Sequence, residues 1–423
     1  MATIVCYDCG KRHEEQDAGY RCECGGLLEI VHDFKEVDGE KLKRVFHERL
    51  SDRMGPYASG VWRYKELICP ELPEDAIVTK YEGNTGLYRC EPVRQAVGMR
   101  EVWLKAQSEN PSGSFKDNGM TVAVSHGRAL GYARFTCAST GNTSSSLAMY
   151  AALAGCESFM LVPKEQVSVN KVLQTLAYGA EVIEFDGTYD DGIRFYERHG
   201  RELGWYICNS INPYRIEGQK SIVYELAQSL GWRLPDWIVL PGGALSNVTA
   251  LCKGLKDLLA LGFIERMPKV ALVQAEGASP FHAMMAEGRG ELVPFERPST
   301  IASAMNIGHP PSWKKARDLL AGGGGTTCSV TDDEILEAKR LIDRSGIGCE
   351  PASAATVAGL RKLVASGTID KDETAACILT GNLLKDTDVL RTTLWGDKTN
   401  RTIAAELTLE SMKRWAKAER YIG

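Results

Sequence analysis

The stretch NPSGSFKDNG, residues 110–119, places Lys116 between Phe115 and Asp117 after a loop of small residues. Upstream lies the apolar run EVWLKA and downstream a helical pattern, so Lys116 falls about where a helix begins. The unpaired N–H groups of a helix start disfavour a second positive charge there. Such a site suits an amine that spends time neutral or condensed with a carbonyl; the ordinary alternative is an exposed lysine in a surface turn. Four other stretches also follow apolar runs. ASTGNTSSS (138–146) offers hydroxyls, an amide and backbone donors, which make an anion cradle or a plain Ser/Thr helix cap. CNSINPYRIEGQK (208–220) gathers Asn209, Ser210, Asn212 and Arg215, a set suited to phosphate or carboxylate, although a surface salt bridge accounts for the arginine equally well. VLPGGALSNVTA (239–250) is a glycine-bearing turn that presents N–H groups to a phosphate or serves packing alone. ILTGNLLKD (378–386) sets Thr380 at a strand end, within reach of a ligand in a cleft.

The elements that must position these stretches alternate regularly. Strands are expected at EVWLKA, ARFTCAS, SFMLVP, EVIEFD, WYICNS, DWIVLP, VALVQAEG and AACILTG. Helical patterns fall between them, among them NGMTVAVSHGRALG, SSSLAMYAALAG, NKVLQTLAYG, GIRFYERHGRELG, GQKSIVYELAQSLG and SNVTALCKGLKDLLALG. Glycine closes many of them, as a left-handed C-cap does. This alternation predicts an α/β fold of doubly wound parallel sheets, whose ligands bind at the carboxyl ends of strands. The run AGGGGTT (321–327) reads as a flexible joint, because no helix opens from it after a strand.

Cysteines supply a second chemistry. Of 13 in the chain, Cys6, Cys9, Cys22 and Cys24 crowd the first 24 residues, each pair followed by glycine. The rest are scattered in apolar surroundings and read as reduced core thiols. The crowded four resemble a zinc ribbon, with thiolates set tetrahedrally around one ion. The alternative is four free thiols on a flexible arm. Residues 1–26 therefore form their own segment, 27–80 a lead-in that packs on the core, and 81–423 the main body, with a smaller inserted domain at about 120–225.

Totals narrow the partners. A net charge of −5 leaves no broad basic footprint, so nucleic acid is not expected. No apolar run reaches the ~18 residues of a membrane helix, and the opening MATIVCYDCG lacks a leader's layout. A cytoplasmic protein is expected.

Together these stretches resemble the threonine synthase family of fold-type II pyridoxal-phosphate enzymes. GSFKDNGM is similar to the lysine segment, ASTGNTS to the cofactor and carboxylate loop, and NSINPYRIEGQK to the substrate-phosphate segment. SAMNIGHPPSWKKA (303–316), EPASAATVAGL (350–360) and LTGNLLKD match further segments. The resemblance implies two parallel-sheet domains with pyridoxal 5'-phosphate in the cleft between them, and a homodimer. It implies that Lys116 carries the cofactor and shuttles protons, with Phe115 beside it. Asn142 would meet the phenolic oxygen, Thr380 the pyridine nitrogen, and Gly242, Gly243, Ala244, Leu245, Ser246 and Asn247 the cofactor phosphate. Ser139, Asn209, Ser210 and Arg215 would clamp a substrate phosphate, and Thr143 would lie near its carboxylate or reacting carbons.

The sequence departs from the family pattern in three places. Residues 243–247 read GALSN where G-N-x-G-N is usual, Asn118 stands where arginine is common, and TGNLLKD replaces TGHGLKD. The implied reaction is O-phospho-L-homoserine plus water giving L-threonine and phosphate, with closure of the domains to control when water enters. Two rivals are a sibling lyase acting on O-phosphoserine or O-phosphothreonine, and a non-catalytic regulator that binds through its cysteine-rich arm.

Overall fold

In the computed structural model, which describes residues 2–14, 20–139, 141–164, 169–187, 189–200, 202–395 and 406–418, EVWLKA forms the strand Glu101–Ala106. Beside it runs Thr374–Leu379, and beside that Trp237–Pro241, all parallel. Lys269–Ala275 and Thr326–Val330 continue the sheet, and the short antiparallel Leu87–Arg89 closes its other edge, making six strands. WIVLP and TAACIL are apolar without alternation because helices cover both faces of a parallel sheet. Ala106 pairs with Leu379 and Val239 with Cys377, so residues 107, 380 and 242 emerge side by side at the carboxyl edge.

A second sheet holds four parallel strands in the order Glu181–Phe185, Glu157–Pro163, Arg134–Ala138, Tyr206–Ile207. Thr136 pairs with Ile207, so Ser139 and Ser210 leave the same edge. Both sheets thus offer carboxyl edges lined by the stretches singled out in the sequence.

Each of the eight expected strands has a counterpart in these sheets. Thr326–Val330 and Leu87–Arg89 were not foreseen. The glycine run 321–327, expected as a joint, follows the helix Trp313–Gly322 and feeds straight into Thr326–Val330. The pattern GQKSIVYELAQSLG divides at Lys220 between Pro213–Gln219 and Ser221–Ser229. Pro213 sits in the first helical turn, where its missing N–H costs nothing, and Asn212 caps that turn by accepting the Tyr214 N–H at 2.9 Å.

Helix Pro213–Gln219 packs tightly on Lys116–Ala129, where a Cβ added to Gly218 would overlap the Asn118 carbonyl. Its outer side anchors a buried charge cluster. Glu217 accepts from His32 at 2.7 Å, pairs with Lys220 at 2.6 Å and also meets Lys253; Lys220 in turn reaches Asp257 at 2.8 Å. Burial alone would raise the Glu217 pKa, but Lys220, Lys253 and His32 outweigh it and hold the group well below the carboxylate range.

The chain divides into two compact units, Met1–Lys385 and Asp386–Gly423. The second unit contains the helix Leu409–Ala418. Among the described residues no helix is long and apolar enough to cross a membrane.

Candidate functional site

Backbone pairing brings the first stretch onto the last. The Phe115 N–H donates to the Thr380 carbonyl at 2.9 Å, Asn382 N–H to Gly113 at 2.8 Å, and Ser114 bridges Gly381. Lys116 opens the helix Lys116–Ala129 with Phe115 at the cap, and its Nζ lies 4.1 Å from the Phe115 ring centroid. The side chain stays partly exposed. Desolvation lowers its pKa from 10.5 to about 7; the Arg215 cation pushes it the same way and Glu350 opposes. A lysine tuned to neutrality beside a cluster of polar groups is a functional candidate.

Glu350 is the residue the sequence reading passed over, although it lies in the quoted segment EPASAATVAGL. It caps the helix Pro351–Ala365 and is buried. One carboxyl oxygen accepts from Asn142 Nδ2 at 2.9 Å and the other from Thr380 Oγ1 at 3.2 Å, so a single side chain joins two expected cofactor contacts. Ser353 lies 3.0 Å from Thr380 Oγ1 and accepts the Gly381 N–H at 3.0 Å. Burial raises the Glu350 pKa, against Asn142, Lys385, Thr380 and Lys116. Only a fold that buries a helix cap at a strand edge could reveal this carboxylate; the pattern Glu-Pro before an apolar run was the available signal.

The loop around Lys116 is held by its neighbours. Asp117 accepts the Ser112 N–H at 2.7 Å, the Ser112 hydroxyl at 2.6 Å and the Ser146 hydroxyl at 2.5 Å. Asn118 stands between Asn110, which donates to it at 3.2 Å, and Ser221, which receives its Nδ2 at 2.9 Å. A buried neutral network has no counter-ion for the arginine usual in the family.

The substrate-side residues divide. Ser139, Thr143 and Ser210 remain partly exposed near the strand ends, and the Ser139 hydroxyl accepts the Gly141 N–H at 3.2 Å. Asn209 is buried and turns both amide atoms to the Ala138 backbone, 3.1 Å each, so it ties two of the stretches together. Arg215 is fully buried and donates from Nη1 to the Cys208 carbonyl at 2.8 Å.

At the remaining strand end, Gly242 bonds the Val273 carbonyl at 2.7 Å, and Leu245 takes a left-handed φ of 65° to start the helix Ser246–Ala260. A non-glycine residue in that region is uncommon and marks a turn held by its surroundings. Asn247 Nδ2 is buried in the first turn without a partner. That orphan donor, together with the helix's own first N–H groups, fits an anion such as the cofactor phosphate, despite the departure from G-N-x-G-N.

The sulfur atoms of Cys6, Cys9, Cys22 and Cys24 all lie within 4.8 Å of one another. Cys6 and Cys24 are 3.5 Å apart, and Cys9 and Cys22 3.7 Å. Four thiolates at about 2.3 Å from one zinc ion sit about 3.8 Å apart, so the donor set fits the metal.

Comparison with known proteins gives a consistent picture. The family model described as pyridoxal-phosphate dependent enzyme matches residues 78–381. Threonine synthase of Methanocaldococcus jannaschii is 42% identical over 384 residues, covering 90% of this chain and 93% of the relative. That of Methanosarcina acetivorans is 42% identical over 390 residues, covering 91% and 93%. Among solved structures, maize serine racemase aligns with a TM-score of 0.65 at 19% identity, over 80% of this chain and 98% of that one, a likeness of fold.

Proposed function

Because this chain belongs to the pyridoxal-phosphate dependent enzymes and, within them, to the threonine synthases, we propose that the two carboxyl edges face one active-site cleft organised around Lys116. The protein is a pyridoxal-phosphate-dependent lyase that converts O-phospho-L-homoserine and water to L-threonine and phosphate. The single observation that carries the site assignment is the hydrogen-bonded line Asn142–Glu350–Thr380 beside a lysine poised near neutrality.

When bound, pyridoxal 5'-phosphate supplies the electron sink that lets the amino acid lose protons from carbon. Lys116 would hold the cofactor carbonyl, and its neutral Nζ would take the substrate proton from Cα. Asn142 and Thr380 orient the ring, with Glu350 fixing both side chains. Phe115 packs beside the lysine, and Gly242, Gly243, Ala244, Leu245, Ser246 and Asn247 would hold the cofactor phosphate at a helix start. Arg215, Ser139 and Ser210 receive the substrate phosphate, Asn209 holds their two segments in register, and Thr143 lies toward the substrate's carboxylate or its reacting carbons. Protons leave Cα and Cβ, phosphate leaves Cγ, and protons return to Cγ and Cα as water adds its hydroxyl to Cβ. Closure of the smaller sheet over the phosphate keeps water out until that addition. A homodimer in the cytoplasm completes the reading.

Borohydride reduction followed by peptide mapping is expected to place a pyridoxyl group on Lys116. Phosphate release is expected from O-phospho-L-homoserine in preference to O-phosphoserine and O-phosphothreonine. An adduct on another lysine overturns the site, and a preference for either other substrate overturns the reaction.

A further inference from the structure

The cysteine-bearing segment is wedged against both parts of the cleft. Each of its two turns closes on its first cysteine: Gly10 N–H returns across four residues to the Cys6 carbonyl at 2.9 Å, and Gly25 N–H across three to the Cys22 carbonyl at 2.8 Å. The first turn docks on the larger sheet's side. Tyr7 donates to Asp318 at 2.6 Å and Lys314 reaches Asp8 at 3.4 Å, while the buried Lys315 donates at 3.0 Å to the carbonyl of Leu28, in the strand Leu28–His32 that pairs with Ala2–Cys6. All three partners belong to the helix Trp313–Gly322. Ser312, immediately before it, gives its N–H to the Ala244 carbonyl of the cofactor-phosphate loop at 3.4 Å.

The second turn docks on the smaller sheet. Tyr20 Oη accepts the Ile207 N–H at 2.8 Å, and Arg21 pairs with Glu197 at 2.8 Å. The Tyr20 ring packs on the cluster of Ala138, Leu161, Tyr196 and Ile207, and stands edge-on to Tyr206. Ile207 lies in the edge strand Tyr206–Ile207, which pairs on one side only with Arg134–Ala138. Its N–H faces away from that partner, and an edge donor buried without an acceptor is costly. Tyr20 supplies the acceptor. Two residues further on, the chain reaches Asn209 and Ser210.

We propose that Cys6, Cys9, Cys22 and Cys24 bind one zinc ion that locks the two turns to each other, and that Tyr20 is thereby a positioning residue for the substrate-phosphate segment. The metal clasp joins the support of Ala244 to the strand that presents Asn209 and Ser210. Without the ion, the described residues join the turns by chain, by strand pairing and by the exposed Lys11–Glu23 ion pair, and the Ile207 edge loses its fixed acceptor. The substrate consequence rests on the reading of that segment as a phosphate clamp; the metal and the Ile207 contact do not.

The test uses the full-length holoenzyme and three forms: wild type, Tyr20→Phe, and Cys9→Ser with Cys24→Ser, which changes the two solvent-facing thiols. Metal content is read by mass spectrometry, amide exchange at Ile207 by hydrogen–deuterium exchange, and KM and kcat with O-phospho-L-homoserine. The bound-cofactor absorbance controls for folding. Wild type is expected to carry about one zinc per chain and the cysteine variant almost none. Tyr20→Phe keeps its zinc, speeds Ile207 exchange by about tenfold and raises KM several-fold with little change in kcat, the loss of about one hydrogen bond. The cysteine variant shows the same exchange and KM changes. Zinc-free wild type overturns the metal site. Unchanged Ile207 exchange in Tyr20→Phe overturns the clasp, whatever the activity. Faster exchange with KM unchanged overturns the positioning role. If no form turns over the substrate, the reading of the reaction falls, while zinc content and exchange still decide the clasp.

Discussion

Lys116 should titrate more than three pH units below an ordinary lysine, and its two charged neighbours should move it in opposite directions. The shift from 10.5 to about 7 comes from desolvation first, then Arg215, with Glu350 opposing. At 1.36 kcal/mol per unit this is about 3–5 kcal/mol in favour of the neutral amine, the lower figure allowing for the part of the side chain that solvent still reaches. Near pH 7 about half the cofactor-free molecules then present a free amine, against about one in 3,000 for an unshifted lysine. The assay is competitive acetylation of cofactor-free protein from about pH 5 to 11, with each lysine's labelling read by peptide mapping and exposed lysines as internal references. Arg215→Gln removes the cation and should raise the midpoint; Glu350→Gln removes the opposing anion and should lower it. The unfolded lysine keeps its proton up to about 10.5 while the folded one loses it near 7, so cofactor-free stability should rise with pH across that window. A wild-type midpoint within a unit of 10.5, or a shift of the same sign in both variants, would falsify the electrostatic account of this amine.

Glu217→Gln should cost about 3–5 kcal/mol in urea unfolding at neutral pH, because Lys220 and Lys253 lose a counter-charge in a buried site and His32 loses a charged acceptor. The folded pKa of Glu217 is depressed, so its contribution is full above the unfolded value of about 4.3, and the gap between wild type and variant should close as pH falls below it. Gly381→Ala should weaken cofactor binding about tenfold in a spectroscopic titration, since the added methyl falls on the Glu350 carboxyl and breaks its bonds to Asn142 and Thr380. Unchanged cofactor affinity would remove Glu350 from the site.

The sheets were legible because their strands are buried on both faces and so appear as unbroken apolar runs, WIVLP being the plainest. Thr326–Val330 was hidden for the opposite reason: TTCSV is half polar, since an outer strand has only one neighbour to hide behind. The strand-end stretches could be placed because Gly, Ser, Asn and a stray charge follow directly on apolar runs, and the sheets set them at their carboxyl edges. Glu350 could not, because a buried carboxylate and a solvent-facing one look alike in sequence, and only the neighbours brought in by Asn142 and Thr380 tell them apart. For Asn209 the residue type signalled polarity correctly, yet its two amide atoms face the Ala138 peptide, a use that depends on how two strands pair. The cysteine turns were visible from spacing, whereas their attachment through Tyr7 and Tyr20 spans hundreds of residues and leaves no local trace.

The strand order of the larger sheet has a consequence for the chain's birth. Thr374–Leu379, last in sequence, lies in the middle, and without it Glu101–Ala106 keeps only Leu87–Arg89 as a partner. The smaller sheet, by contrast, is complete once Tyr206–Ile207 has been made. At about 5–20 residues per second, a ribosome needs about 10–30 s to travel from one point to the other. For that interval the segment carrying Lys116 waits with an open apolar edge exposed to aggregation and to chaperones. The finished lysine pocket comes only after Thr374–Leu379 has been made.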